Sequence, residues 1–461
     1  MESVKVNPLA SAPVSKLMIK FGIPSIVAML VGALYNIVDQ LFIGNSVGTL
    51  GNAATNVAFP LSISCISLAL LFGVGAASCF NLHMGSGDKE KAPYFIGNGT
   101  TMLIVSGILL MLVTNFFLDP MLKVFGSPDD VFPLAREYVK ITAYGFPFLI
   151  LTTGGGHLMR ADGSPKMTMI CSLLGAVINT VLDALFVMKF GWGMAGAAYA
   201  TIIGQIISGI MVIVYLFRFK TVTLELKHFM IKFNCIFKIM SIGMASFINQ
   251  IAMMIVQIVL NNSLKKYGAQ SEFGDSIPIA CAGIIMKISQ IVFAIIIGLG
   301  QGAQPIESFN YGAKQYKRVR EAYGLAMKIG AVIAIASFVV FQIFPEQIIS
   351  FFGKGSEEYY RFGVSFFRIF LFFMWLSCIQ PITSIFFTSI GKPVKGAVLS
   401  LTRNIIFFIP PLLILPHFFG INGILYTGPI ADFLAAAVNI ILAVWEFKIM
   451  KKQEQKFLLC S

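Results

Sequence analysis

The sequence predicts an all-α membrane protein, with twelve transmembrane helices in two parallel-repeat six-helix lobes around a central cavity. Three observations carry this. Charged residues make up only 12% of the 461 and hydrophobic ones 57%, whereas soluble domains run to about a quarter charged. Apolar runs of spanning length recur along the whole chain, and mean hydropathy is +0.83. Blocks of the first half return, in order, in the second.

A helical span needs about 20 largely apolar residues. Such runs lie near 17–44, 56–83, 94–118, 136–159, 168–188, 194–217, 239–263, 278–308, 325–345, 363–390, 398–416 and 423–446. They lack the short alternating pattern of barrel strands. The first run continues as a helix of spanning length, so it reads as a span and not as a cleavable leader. The seven Cys lie apart with no CxxC pair, which suits buried free thiols and no metal site.

The repeat appears in three blocks. "LFGVGAASCFNLHMGSGDKEK" (71–91) returns as "GLGQGAQPIESFNYGAKQYKR" (298–318). "MRADGSPK" (159–166) returns as "FTSIGKPVK" (387–395), and "KFGWGMAGAAYATIIGQ" (189–205) as "FFGINGILYTGPIAD" (418–432). The offset is near 228 residues each time, and an even number of spans separates the copies. The halves are therefore parallel, an arrangement of transporters with a cavity between lobes. Residues 1–217 form an N-lobe, 218–238 an inter-lobe linker, and 239–461 a C-lobe with a short tail.

The formal charge of +13 follows from topology and excludes a nucleic-acid role. The N-terminus, the linker, "GSGDKEKAP", "RADGSPK", "YGAKQYKRVREAYG", "GKPVK" and the C-terminal tail hold about 22 Lys and Arg, against about 7 in the opposite loops. The first set is expected to be cytoplasmic, with both termini inside the plasma (inner) membrane. No GxxxxGK[ST] loop is present, so no nucleotide or other cofactor is expected and an ion gradient must supply the energy. The one adjacent pair of aspartates, Asp129–Asp130, falls in an outer loop after Pro128, so a metal-dependent enzyme is not expected.

A charge at the centre of a span costs about 2.5–3.5 kcal/mol on insertion scales. Asp39 in "LYNIVDQLFIGNSVG", Asp183 in "INTVLDALF" and Asp432 in "GPIADFLAAA" are therefore candidate functional groups. Measured from the outer ends of their spans, Asp39, Asp183 and Thr201 sit at similar depth. Asn179 and Asp183 are spaced i, i+4 and share a face. These four residues form an oxygen-rich N-lobe cluster, and two nearby carboxylates in a poorly solvated place cannot both ionise cheaply. Such a pair exchanges a proton or binds a cation such as sodium; a structural clamp among the same spans is the alternative. By the repeat, Leu260 stands opposite Asp39 and Pro411 or Leu412 opposite Asp183, so the C-lobe has lost both acids. Asp432, aligned with Gln205, either faces the cavity or bonds across helices. Glu307 reads as a solvated or helix-pairing acid. Pro24 in "FGIPS" frees backbone groups and permits a bend of the first helix.

"FGIPSIVAMLVGALYNIVDQLFIGNSVG", "MRADGSPKMTM", "GQGAQPIESFNYGAKQYKRV" and "FGINGILYTGPIADF" resemble the MATE family of multidrug and toxic-compound extrusion transporters over nearly the whole chain. The resemblance implies export of amphipathic, cationic organic compounds against inward proton or sodium flow, by a functional monomer in the lipid. It implies the branch with N-lobe coupling, whose functional positions match Asp39, Asn179, Asp183 and Thr201, with Tyr35 and Asn36 near the site. "GGGHLMRADG" departs from the Asn-rich sequence expected before the Arg. A lipid-linked-precursor flippase of the same superfamily shares the lobes and is the alternative.

Overall fold

The computed structural model describes residues 7–274, 276–352 and 356–460. Among the described residues there is no strand. We number the long helical segments α1 (Val14–Ser46), α2 (Thr49–Ser86), α3 (Ala92–Phe116), α4 (Phe132–Thr142 and Phe146–Ala161), α5 (Pro165–Asp183), α6 (Gly193–Leu216), α7 (Phe233–Gly268) and α8 (Ser276–Gly312). They continue as α9 (Tyr316–Ile343), α10 (Glu357–Phe370 and Ile379–Ser389), α11 (Pro393–Leu401 and Ile409–Phe419) and α12 (Ile421–Cys460). Ten helices among the described residues are long and apolar enough to cross a membrane, and α10 makes an eleventh as a pair bent by 43°. The fourth expected span is α4, whose two pieces join through the 3-10 turn Ala143–Gly145 just before Pro147. Proline has no N–H to continue the ladder and restricts the residue before it, so the break falls there.

Two further helices loosen locally. A π segment, Ala184–Lys189, follows Asp183 at the end of α5, and Thr402–Phe408 is π within α11. α5 and α11 are partners in the repeat. A π turn drops one backbone bond from the regular ladder and is tolerated where neighbouring groups need room.

The lobes touch through α1, α2, α7 and α8, at the end that also bears the linker. There, glycines bring backbones together. A Cβ on Gly302 of α8 would stand 2.6 Å from the Cα of Gly22 in α1, and one on Gly298 2.6 Å from Ile26. A Cβ on Gly85 of α2 would overlap the carbonyl oxygen of Phe309, and one on Gly312 that of Leu82. Gly85 and Gly312 are partners in the repeat, as are Leu82 and Phe309, so the crossing of α2 and α8 has pseudo-two-fold symmetry. Without the glycines this approach is sterically closed. Gln304 Nε2 donates to Ser78 Oγ at 2.9 Å across the same crossing. The N-terminal turn docks on the other lobe: Arg318 Nη2 donates to the carbonyls of Leu9 (3.0 Å) and Ala12 (2.7 Å).

The linker is bonded to the N-lobe along its length. Asp162, at the end of α4, accepts from Tyr215 Oη at 2.5 Å, from the backbone N–H of Lys220 and of Thr221 at 2.8 Å each, and from the Thr221 hydroxyl. Asn98 of α3 donates to His228 O at 3.1 Å and accepts from Lys232 N at 2.7 Å, while Thr101 donates to Phe229 O at 2.9 Å. Lys232 lies over the Tyr94 ring, 3.3 Å from its centroid. Gly97 is required here, because a Cβ would overlap His228 O. α7 begins at Phe233, directly after the last of these contacts.

Candidate functional site

Four helices bring polar groups to one depth in the N-lobe. Asp39 lies seven residues before the end of α1, and Thr201 eight residues into α6. Asp183 closes α5 and Tyr138 lies six residues into α4. At 1.5 Å per residue, seven residues place a group about 10 Å from the helix end. The crossing of α5 and α6 is close because both partners are small: a Cβ on Gly204 would stand 2.8 Å from Gly175 O and 3.3 Å from Asn179 Cβ. That approach sets Asn179 beside Thr201, and its Nδ2 donates to Thr201 Oγ1 at 3.3 Å.

The structure brings together all four expected residues. Asp183 is fully enclosed, Asn179 is 2% exposed, Thr201 6% and Asp39 8%. The Asp39 and Asp183 carboxyls are within hydrogen-bonding reach of each other. Counted as carboxylates, however, Asp39 Oδ1 and both Asp183 oxygens find no donor, and neither does Asn179 Oδ1. A carboxylate has only acceptors. Contact between two of them therefore needs a proton between the oxygens or a cation bridging them. Four buried oxygen atoms without donors are a built acceptor of positive charge.

Tyr35 belongs to the cluster, lying near Thr201, Asp39 and Asp183. Asn36 does not face it: the residue is exposed and its Nδ2 donates to Gly32 O of its own helix at 2.9 Å. Sequence reasoning missed Tyr138, which lies near Thr201, Asp39, Asp183 and Tyr35. The signal was present, since the depth comparison that gathered the other residues applies equally to the start of α4. The repeat partners Leu260 and Leu412 are fully buried, so apolar packing replaces the acids in the C-lobe.

Asp432 is held across helices. Arg403 of α11 donates to its Oδ1 through Nε (3.0 Å) and Nη2 (2.7 Å). Glu307 is 1% exposed and lies near Ser389 of α10, with Oε2 left without a donor. Pro24 is buried within α1, between Gly22 and Ile26, where α1 crosses α8. Among the described residues no group of three or more His, Cys, Asp or Glu could hold a metal ion.

Two six-helix lobes meeting at one end, with an unsatisfied acidic cluster inside one of them, define a membrane transporter. Residues 24–185 and 245–414 match the MatE family, one match in each lobe. The chain belongs to that family, whose members are transporters and not enzymes. It is similar to the multidrug export protein MepA of Staphylococcus aureus strain MSSA476, 25% identical over 443 residues that cover 96% of each chain. MepA of Staphylococcus saprophyticus is 23% identical over 445 residues, again 96% of each. The fold matches a MOP superfamily transporter from Pyrococcus furiosus at TM-score 0.90 and 23% identity, covering 98% of this chain and 100% of that one. It matches a multidrug resistance MATE transporter in an outward-facing conformation at TM-score 0.90, with 24% identity and the same coverage.

Proposed function

We propose that this protein is a secondary multidrug exporter that exchanges amphipathic organic cations for protons or sodium ions, with the N-lobe cluster as the coupling site. The linker end faces the cytoplasm, where the excess of Lys and Arg lies. On this reading, the end at which the lobes touch is the cytoplasmic one. Export of drugs is the activity for which the MepA relatives are named.

The observation that carries the reading is the set of oxygens without donors on Asp39, Asp183 and Asn179. With both acids ionised, the N-lobe holds negative charge in a low-dielectric setting, and a cationic drug in the adjoining cavity is stabilised. A proton shared by the carboxyls, or a sodium ion held by Asp39, Asp183, Asn179 Oδ1 and Thr201, halves that charge. The drug is then held less strongly and leaves outward. Drug and ion compete through the state of one lobe, so each lowers the affinity of the other by the same factor. Asn179 bonds the Thr201 hydroxyl and Tyr35 and Tyr138 lie near it, which brings α1, α4, α5 and α6 together around the site. Pro24 lets α1 bend when its outer half responds.

Everted vesicles with an imposed pH or sodium gradient test this. Wild type should accumulate a fluorescent organic cation in response to one gradient, and Asp39→Asn should lose that response and bind the organic cation more weakly. Normal gradient-driven accumulation by Asp39→Asn would overturn the role of the cluster.

A further inference from the structure

The C-lobe carries a second polar cluster on the repeat partners of the helices that build the first. Asp39, Asn179 with Asp183, and Thr201 lie on α1, α5 and α6. Asn249, Arg403 with Asn404, and Asp432 lie on α7, α11 and α12. By the repeat alignment these positions match residues 28, 175–176 and 205 of the N-lobe. On all three helices the C-lobe cluster is therefore displaced toward the linker end, by one to three turns. In both lobes a π segment of the fifth helix adjoins the cluster: it follows Asp183 directly, and it contains Arg403 and Asn404.

The clusters differ in one respect. In the N-lobe the oxygens have no donors. In the C-lobe Arg403 supplies them: Nε and Nη2 to Asp432 Oδ1, and Nη1 to Asn404 Oδ1 at 3.0 Å. Asn404 Nδ2 then donates to Asn249 Oδ1 at 3.2 Å. The chain of bonds runs from one guanidinium through both amides, linking α12, α11 and α7. The Arg403 and Asp432 side chains are only 24% and 11% exposed, so the pair is mostly withdrawn from solvent and removing one partner leaves the other without compensation.

We propose that Arg403 is a tethered cation, occupying a latent cation site formed by Asp432 Oδ1 and Asn404 Oδ1. The C-lobe acid is thereby permanently compensated, whereas the N-lobe acids are compensated only on binding an ion. It exchanges no charge during the cycle, and coupling is confined to the other lobe. The comparison of the lobes rests on the N-lobe reading above, but the latent site itself is testable without it.

The test uses purified full-length protein carrying Asp39→Asn and Asp183→Asn, which silences the N-lobe cluster. Into this parent go Arg403→Ala, and Arg403→Ala with Asp432→Asn. Thermal unfolding and calorimetric binding are measured with methylguanidinium or sodium over a series of pH values. Arg403→Ala should gain a cation-dependent rise in unfolding midpoint, with methylguanidinium bound about tenfold or more tighter than by the parent or the Asp432→Asn double variant. No gain in Arg403→Ala, or an equal gain in the double variant, overturns the proposal. If Arg403→Ala cannot be recovered folded, recovery on adding Asp432→Ala supports it, because the missing charge was then the defect. Failure to recover shows that Arg403 is needed for packing, which also overturns it. Because the N-lobe acids are absent throughout, failure of the coupling reading appears only in the vesicle experiment.

Discussion

The crossing of α2 and α8 allows a quantitative test of what keeps the lobes together at the linker end. Gly85→Ala places a methyl on Phe309 O, and Gly312→Ala places one on Leu82 O. To restore ordinary contact the two backbones must part by about 1.5 Å, since the well for such an atom pair lies near 3.5–4.0 Å. Overpacking of this kind costs typically about 1–3 kcal/mol. The cost falls on the arrangement in which the lobes touch here, and not on one in which they have separated. Each substitution should therefore shift the balance toward the separated state by roughly 5- to 150-fold. The two sites share one crossing, so their effects should combine less than additively. Cys79 is a native reporter, 2% exposed on α2 and near Lys238 of α7. In a background with Cys79 and Cys171 as the only thiols, maleimide labelling of Cys79 should accelerate by that factor in Gly85→Ala. Labelling of Cys171, buried inside the N-lobe beside Ser208, should not change. Unaltered Cys79 labelling in a folded Gly85→Ala protein would refute the reasoning, because the methyl would then have been absorbed without separation.

Other expectations follow from single contacts. Thr201→Val removes the hydroxyl that accepts from Asn179, and at about 1 kcal/mol for a lost hydrogen bond it should raise the half-saturating cation concentration for transport about fivefold. Asp162→Ala strips the acceptor from the Tyr215 hydroxyl and two linker N–H groups. It should cost about 1–3 kcal/mol, seen as a lower unfolding midpoint and faster proteolysis at 218–224. In the linker, burial and then the neighbouring Lys227 charge hold the His228 imidazole below the usual histidine range, and its Nδ1 accepts from Glu225 N at 2.9 Å. The undocked linker then binds the proton more readily than the docked one. Docking is accordingly at full strength above pH 6.5, the ordinary histidine value, and weakens as pH falls below it. A spin label at Lys227 should gain mobility below that pH in wild type, and His228→Gln should show no such step.

The spans and the acidic cluster were legible because hydropathy and depth are local properties. Asp39, Asn179, Asp183 and Thr201 meet where counting residues from helix ends places them. Tyr138 escaped because a tyrosine near a helix start has many ordinary reasons to be there. The break in α10 falls within "LFFMWL", which has neither Pro nor Gly, so packing against its neighbours bends it and no residue marks the place. Pro147, by contrast, did mark the turn in α4. The partner of Asp432 was hidden by distance along the chain: Arg403 lies on the preceding helix, 29 residues away, and either residue alone reads as a lone charge. The glycines of the lobe crossing were visible as letters, but their backbone partners belong to the tertiary fold.

The connector between the lobes has a consequence for how the molecule is made. Since Asp162, Asn98, Thr101 and Tyr94 hold it down from Lys220 to Lys232, its nominal length hardly counts as slack. The second bundle therefore starts its growth from a spot already set by the first, and its first helix searches a small volume for its seat beside α2. Cutting the peptide bond within this stretch would leave the geometry almost intact, yet would turn a local docking step into a search through the whole lipid sheet.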